Sequence, residues 1–222
     1  MAAIPAGLVT GGWWLVTSPR FKVSTVEVRG TQHVTVERIL EAAKIEPGKS
    51  LFLIDPRAAV QRIEALPQVE RAEIVRALPN RVTVRVEERK PFTLLHSGTL
   101  SWIDENGRVL APAGEAVVPP APVVSGIGEG DTAKARDAVR LIRALLRSGS
   151  TLATEISEID MSESDGPILY TAAGVEVRLG NDDWGERLTR LEAVLVQKAA
   201  REGNVRTVDL RFRDQVVLQG GR

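Results

Sequence analysis

Cysteine is absent from the 222 residues, which removes disulfide frameworks, thiolate metal sites and cysteine nucleophiles together. Histidine is scarce. His33 and His96 are the only two, and they lie far apart in the chain, so a zinc site built on two or three imidazoles is not expected. No excess of either charge exists, because 29 Lys and Arg balance 29 Asp and Glu. A nucleic-acid binder would carry a clear basic surplus, so no nucleic-acid partner is expected. No long block of like charge occurs either, which excludes an acidic or basic tail. What is present is apolar material. At 43% of residues it suffices for one medium domain or two small ones, each with its own core.

From Met1 to Pro19 no side chain is charged, and Arg20 is the first that is. The run is broken by Pro5, Gly7, Gly11 and Gly12, whereas a full membrane helix needs about 20 apolar residues. A secretory signal would open on a positive region, and none precedes this stretch. Trp13 and Trp14 followed by Thr17-Ser-Pro-Arg20 have the character of an interfacial belt where a helix leaves a bilayer. Residues 1–19 are therefore read as the outer part of a membrane anchor whose cytoplasmic start lies outside this chain. The competing reading is a disordered or surface-packed leader.

The next seventy or so residues alternate between strand and helix periodicity. Residues 23–28 form a β-branched strand closed by Arg29-Gly30. Val36, Ile39, Leu40 and Ala43 share one helical face after Thr35, a capping residue. Asp55 followed by Pro56 opens a second helix, with Ala59, Val60, Ile63 and Leu66 as its apolar face and Pro67 as its stop. Alternating strands follow at 69–75 and 81–87. The order β-α-α-β-β, amphipathic throughout, is a compact two-layer module.

A second region begins at Pro91. Strands at 93–96 and 100–103 flank Ser97-Gly98, and Asp104-Glu-Asn-Gly107 carries the strongest short hairpin signal before a strand at 108–110. The proline-rich 112–125 stretch reads as a crossing loop to a helix over 132–148 with a stripe of Ala135, Val139, Ile142 and Leu146. Strands at 156–161, 168–171 and 175–179 precede a helix over 184–202, on which Trp184, Leu188, Leu191 and Leu195 share a face. Residues 205–218 read as strand throughout. There Val208, Leu210 and Phe212 alternate with Asp209, Arg211 and Arg213. Such a terminal strand is expected at a sheet edge, where unpaired N–H and C=O groups invite a partner's strand.

Other clusters have plainer explanations. Arg136, Arg140, Arg143 and Arg147 form a basic stripe that reads as a solvated helix face rather than a docking patch for anionic surfaces. His96 and Ser97 are adjacent in a strand and so face opposite sides, which rules them out as base and nucleophile. Gly126-Ile-Gly128-Glu-Gly130 lacks the lysine of a phosphate loop. Asp104, Glu105, Asp160 and Glu163 sit in turn-rich surroundings that favour capping. No catalytic residue, cofactor site or metal site is expected, and an envelope hydrolase is disfavoured.

These pieces, in order, resemble the FtsQ/DivIB family of bacterial division proteins. Phe21-Lys-Val-Ser-Thr-Val-Glu-Val-Arg-Gly30 resembles the opening of that family's POTRA module, and Gly48-Lys-Ser-Leu-Phe52 the loop before its second helix. Leu66-Pro-Gln-Val-Glu-Arg-Ala72 and Arg76-Ala-Leu-Pro-Asn80 resemble its two proline signatures, and Val84-Arg-Val-Glu-Glu-Arg-Lys-Pro91 its exit. Trp102-Ile-Asp-Glu-Asn-Gly-Arg-Val109, Pro122-Val-Val-Ser-Gly126, Val177-Arg-Leu-Gly180 and Val208-Asp-Leu-Arg-Phe212 resemble segments of the β domain that follows. The chain departs from the family at the front, where a full anchor and its positive flank are missing.

The resemblance implies an α+β fold. Residues 1–19 would be a partial membrane anchor, 20–90 a POTRA domain, and 91–222 a β-rich domain with two helices and a partner-binding C-terminal strand. It implies a non-enzymatic divisome scaffold in the bacterial inner membrane, single-pass, with both domains outside the cytoplasm at the septum. Implied partners are FtsB, itself complexed with FtsL, at the C-terminal strand, and other divisome proteins at the POTRA domain. The implied contact residues are Arg211, Phe212, Arg213, Asp214, Val216 and Leu218. Arg211 would meet an acidic residue and Phe212 an apolar pocket. Because the two point to opposite faces of a strand, the aromatic would have to reach round the edge, or a distortion near Arg213-Asp214 would have to turn it. A POTRA-bearing transport or outer-membrane assembly factor would share only residues 23–90, and would usually continue into a barrel or further POTRA modules.

Overall fold

The computed structural model describes residues 14, 17–113, 119, 121–147, 151–201, 205–212 and 215–220, with the side chains of 197–201 excepted. The anchor reading therefore falls almost wholly outside the described residues. Among those described, no helix is long and apolar enough to cross a membrane. The chain divides into two compact units, Met1–Arg89 and Lys90–Arg222.

In the first unit, β1 (Thr25–Arg29), β2 (Val69–Ala77) and β3 (Arg81–Glu88) form a three-stranded sheet in the order β1-β3-β2. β1 runs parallel to β3 and β2 antiparallel to it. Both helices start where the capping chemistry places them. The Thr35 hydroxyl accepts the Arg38 N–H at the head of α1 (Val36–Ala43). The Asp55 carboxylate accepts the N–H groups of Arg57 and Ala58 at the head of α2 (Pro56–Glu64), which satisfies donors a helix start leaves open. Ile39, Ala43 and Ile63 pack with Val82, Val84 and Val86 in one buried cluster. The buried stripe of α1 narrows to Ile39 and Ala43, and Val36, at its first position, is 40% exposed. Gly30, at φ +93°, lies so close to β3 that a Cβ there would sit 2.1 Å from the Val86 carbonyl oxygen. Only glycine fits this position.

The last residue of β3 fastens the loop between β1 and α1. The Glu88 carboxylate accepts the backbone N–H groups of Gln32 (2.7 Å), His33 (3.0 Å) and Val34 (2.9 Å), and contacts His33 Nδ1 at 3.1 Å. Burial alone would raise its pKa, but the backbone donors of Val34, Gln32 and His33 together outweigh it and hold the carboxyl below the ordinary glutamate range. A carboxyl that binds its proton less readily when folded stabilises the fold above its unfolded titration range. That contribution fades as pH falls through the folded value. The melting temperature is accordingly expected to decline on acidification below the range in which a free glutamate titrates. Glu88→Gln should lower the neutral-pH midpoint and flatten the decline. An acid limb of equal steepness in both proteins would show that Glu88 carries none of it.

In the second unit a nine-stranded sheet has the order β12-β11-β10-β9-β8-β7-β4-β5-β6. Its strands are β4 (Pro91–Ser97), β5 (Thr99–Asp104), β6 (Val109–Pro112), β7 (Val123–Ser125), β8 (Ile156–Asp160), β9 (Ile168–Thr171), β10 (Glu176–Arg178), β11 (Val205–Asp209) and β12 (Val217–Gly220). The turn at 104–107 forms as its residues dictate, with the Asp104 carboxylate accepting the N–H groups of Asn106 and Arg108 at 2.8 Å. Helices α3 (Thr132–Arg147), α4 (Leu152–Glu155) and α5 (Trp184–Arg201) connect the strands. Register partners Leu95, Val124, Ile159, Leu169, Val177 and Val208 form a buried row across the sheet. Partners in a ladder face the same side, and this row shares one core with Leu141, Ile142 and Leu145 of α3 and Leu188 and Leu191 of α5.

Several expectations from the sequence need correction here. Val123–Ser125, inside the supposed crossing loop, is a strand between β4 and β8. It is fastened by the Thr93 hydroxyl, which donates to the Pro122 carbonyl at 2.8 Å. The one-turn helix α4 adds a third helix to the expected two. On α3 the buried set is Ala135, Ala138, Val139, Leu141, Ile142 and Leu145, while Leu146 is 47% exposed. This helix packs against α5 as well as the core, so its covered face is broader than a one-sided stripe.

Candidate functional site

The largest difference from the sequence reading lies at the C-terminus. Residues 205–218 are not one strand. They fold into β11 and an antiparallel return strand β12, with Val208 opposite Leu218 and Asp209 opposite Val217. β11 is therefore interior, parallel to β10 on its other side, and the edge of the sheet is β12. The cause lies in Asp209. Leu210 still donates its N–H to Arg178 O (2.9 Å), but the Asp209 carboxylate then captures the Arg211 N–H at 3.0 Å. A side-chain acceptor two residues back substitutes for the ladder and turns the chain.

The Arg211 guanidinium completes that turn. Its Nε and Nη2 donate to the Asp209 carboxylate at 3.0 and 2.7 Å, and Nη1 reaches Asp165 at 3.2 Å. The hydrogen bonds from the Arg211 side chain, opposed in part by burial, hold the Asp209 carboxyl below its usual range. Arg211 is thus not a free cation awaiting an acid. It is paired within the chain, with its side chain still 32% exposed.

Beneath it lies Arg187 of α5, which pattern reading passed over. It is 3% exposed and donates from Nη1 to the carbonyls of Leu179 (2.7 Å) and Leu210 (3.0 Å), and from Nη2 to Asp182. One guanidinium thus joins the chain just after β10 to the chain just after β11. Gly180 is required beside it, since a Cβ there would lie 2.1 Å from Arg187 Nη1 at φ +83°. The only signal in the sequence was an arginine directly flanking the apolar stripe at Leu188, which helical spacing alone assigns to solvent.

The other expected contact residues distribute as follows. Phe212 is 53% exposed, and its carbonyl accepts from Arg190 Nη1 at 3.2 Å. Val216 packs half-buried against the core. Leu218 extends the buried row by one register position but is 50% exposed, and Val217 on the opposite face is 39% exposed. All four residues of β12 are exposed. Arg213 and Asp214 lie outside the described residues. The bend expected near them begins earlier, at Leu210, so the alternation rule does not hold Arg211 and Phe212 apart. Asp165, Asp182, Arg187, Arg211 and Phe212 line an open cleft. The arrangement can bind a chain along an edge and seat side chains beside it.

The remaining polar clusters are engaged locally. Arg140 pairs with Asp137 and lies 5.9 Å over the Trp184 ring, and Arg143 pairs with Glu105 at 2.5 Å. Asp160 accepts the Ser162 N–H at 2.7 Å. Among the described residues no cluster of three or more His, Asp or Glu is placed to hold a metal ion.

Comparison with known proteins matches both units. A family model described as "POTRA domain, FtsQ-type" covers residues 21–89, and one described as "Cell division protein FtsQ/DivIB, C-terminal" covers 93–211. The protein named Cell division protein FtsQ of Geobacter sp. (strain M21) is 29% identical over 98% of this chain and 84% of its own length. That of Myxococcus fulvus is 32% identical over 85% of this chain and 69% of its own, and that of Geotalea daltonii 29% over 90% and 76%. With the C-terminal match alone spanning more than half the chain, and the β-α-α-β-β unit ahead of it, this chain belongs to the FtsQ/DivIB family of cell division proteins.

Proposed function

We propose that the chain is a non-enzymatic scaffold of the division machinery, tethered to the bacterial inner membrane through residues 1–19. Both folded units would stand outside the cytoplasm at the septum. The relatives' shared name supports a role in cell division. The observation that carries the mode of action is the β12 edge, paired among the described residues on one side only, with half-exposed Leu218 on it and half-exposed Phe212 before it. An extended segment of an FtsB-like protein, delivered with its FtsL-like companion, would add there as a further strand. Its apolar side chains would cover Leu218 and Phe212, and an acidic residue would share Arg211 with Asp165 and Asp209. Other divisome proteins would meet the POTRA unit.

Two adjacent proline substitutions separate strand addition from generic contact. Successive N–H groups of β12 point alternately toward β11 and outward. Of Val217→Pro and Leu218→Pro, one removes an outward donor and the other a donor to β11. One variant should therefore keep the parental melting temperature and lose affinity for the FtsB–FtsL extracytoplasmic complex, while its neighbour loosens the hairpin itself. Phe212→Ala should weaken the same complex by about 2 kcal/mol, on the order of 30-fold. Parental affinity in all three folded variants would place the docking edge elsewhere.

A further inference from the structure

The first unit carries an exposed apolar turn whose adjoining segments are mostly basic. The short 3₁₀ turn Leu51–Leu53 buries Leu51 but leaves Phe52 38% and Leu53 59% exposed. The ring of Phe21 meets that of Phe52 edge-on, with centroids 5.3 Å apart. Between them the backbone is zipped: Lys22 bridges Ser50 in antiparallel fashion, Val23 N–H donates to Lys49 O (2.9 Å), and Gly48 N–H donates to Val23 O (2.8 Å). Single exposed apolar residues are ordinary. Two in succession, backed by the Phe21 ring and fastened to the exit of an uncharged segment, form a continuous patch.

The charges in the segments beside the patch are mostly basic. Across 17–23 and 44–54, the segments that form the zipper, Arg20, Lys22, Lys44 and Lys49 face a single acid, Glu46, before the Asp55 cap, and all five are exposed. Exposed apolar side chains with exposed cations in the adjoining segments suit an anionic bilayer surface, which offers an acyl boundary beneath a layer of phosphates. The reach is also right. Trp14 and Phe21 are seven residues apart, at most about 25 Å of extended chain, and the 3₁₀ turn Pro19–Phe21 shortens that further.

We infer that the Leu51–Leu53 turn is a membrane-surface foot: Phe52 and Leu53 seat in the headgroup region of an anionic bilayer while Arg20, Lys22 and Lys49 meet lipid phosphates. The inference rests on the proposal that residues 1–19 enter the bilayer.

Because the chain has no cysteine, single labelling sites are free of background. Leu53→Cys, Leu8→Cys and Leu78→Cys, the last replacing a residue 68% exposed in the β2–β3 turn, would each carry an environment-sensitive fluorophore. The full chain would be reconstituted into vesicles of phosphatidylethanolamine and phosphatidylglycerol containing nitroxide lipids. The label at 53 should shift to the blue and be quenched by headgroup nitroxide about threefold more than the label at 78. The excess should shrink when Lys22 and Lys49 are both changed to glutamate. Equal quenching at 53 and 78, with the label at 8 quenched by acyl-chain nitroxide, overturns the foot and leaves the anchor standing. Quenching at 53 without quenching at 8 keeps the foot and removes the anchor. Neither site quenched removes both.

Discussion

Ile63→Asp is expected to unfold the first unit. Ile63 is fully buried, with no accessible surface, on the face of α2 that meets the sheet. It shares a core with Ile39, Leu51, Val69, Val82 and Val84. Aspartate would forfeit the apolar contacts and leave a carboxylate without a partner among aliphatic side chains. The two losses together cost about 4 kcal/mol or more, a large part of what a domain of this size possesses. Ile63→Val, which removes one methylene in place, should cost only about 1 kcal/mol. Thermal melts of the three proteins, with amide exchange across residues 69–88, give the readout. An aspartate variant with the parental midpoint and protection would mean that α2 presents another face to the sheet.

The second large effect is expected from Arg187→Leu. Its guanidinium satisfies the carbonyls of Leu179 and Leu210 at once. Leucine would restore apolar volume but leave both acceptors without their charged donor in a site where Arg187 itself is 3% exposed. Replacing both members of a buried ion pair with apolar groups is often neutral. Here the acceptors are main-chain carbonyls and cannot be replaced, so a loss of about 3 kcal/mol is expected. Arg187→Lys should recover only part of it, because one ammonium cannot span the planar fork. Asp182→Asn should matter little, since the Asp182 side chain is 51% exposed and its pairing is solvent-screened. Beyond stability, Arg187→Leu should speed exchange of the Leu210 amide, which bonds to Arg178 O at 2.9 Å. It should also weaken the proposed strand capture at β12. A leucine variant with parental melting and exchange would remove Arg187 from the support of the edge.

The first unit was nearly all legible in the chain because its signals are local. Thr35 and Asp55 are capping residues followed at once by helical periodicity, and residues 81–87 alternate valine with polar side chains. Each element could be placed without knowing its neighbours. Gly30 was legible only as a strand end. That it must be glycine follows from a carbonyl of Val86, fifty-six residues away in the chain. The second unit was legible in its long helices and hairpins, and obscure where elements are too short to show a period. Val123–Ser125 and Leu152–Glu155 have three and four residues, fewer than any pattern needs.

By itself the sequence determined the division into an α-β module and a β-rich region, the capped helices, the improbability of thiol or imidazole chemistry, and the family. It also marked the last residues as the place to look for a partner. Only the tertiary structure decided which strand is the edge. In sequence 205–218 is one continuous β-prone run, because alternation records which side chains are apolar and not where the backbone's partners lie. Asp209 turning back onto the Arg211 N–H ends β11, and Arg187 pins that end from a helix. Both are hydrogen bonds of particular geometry that no period encodes. Through them β12 becomes the open strand, and Leu218 the exposed last place in a row of buried side chains.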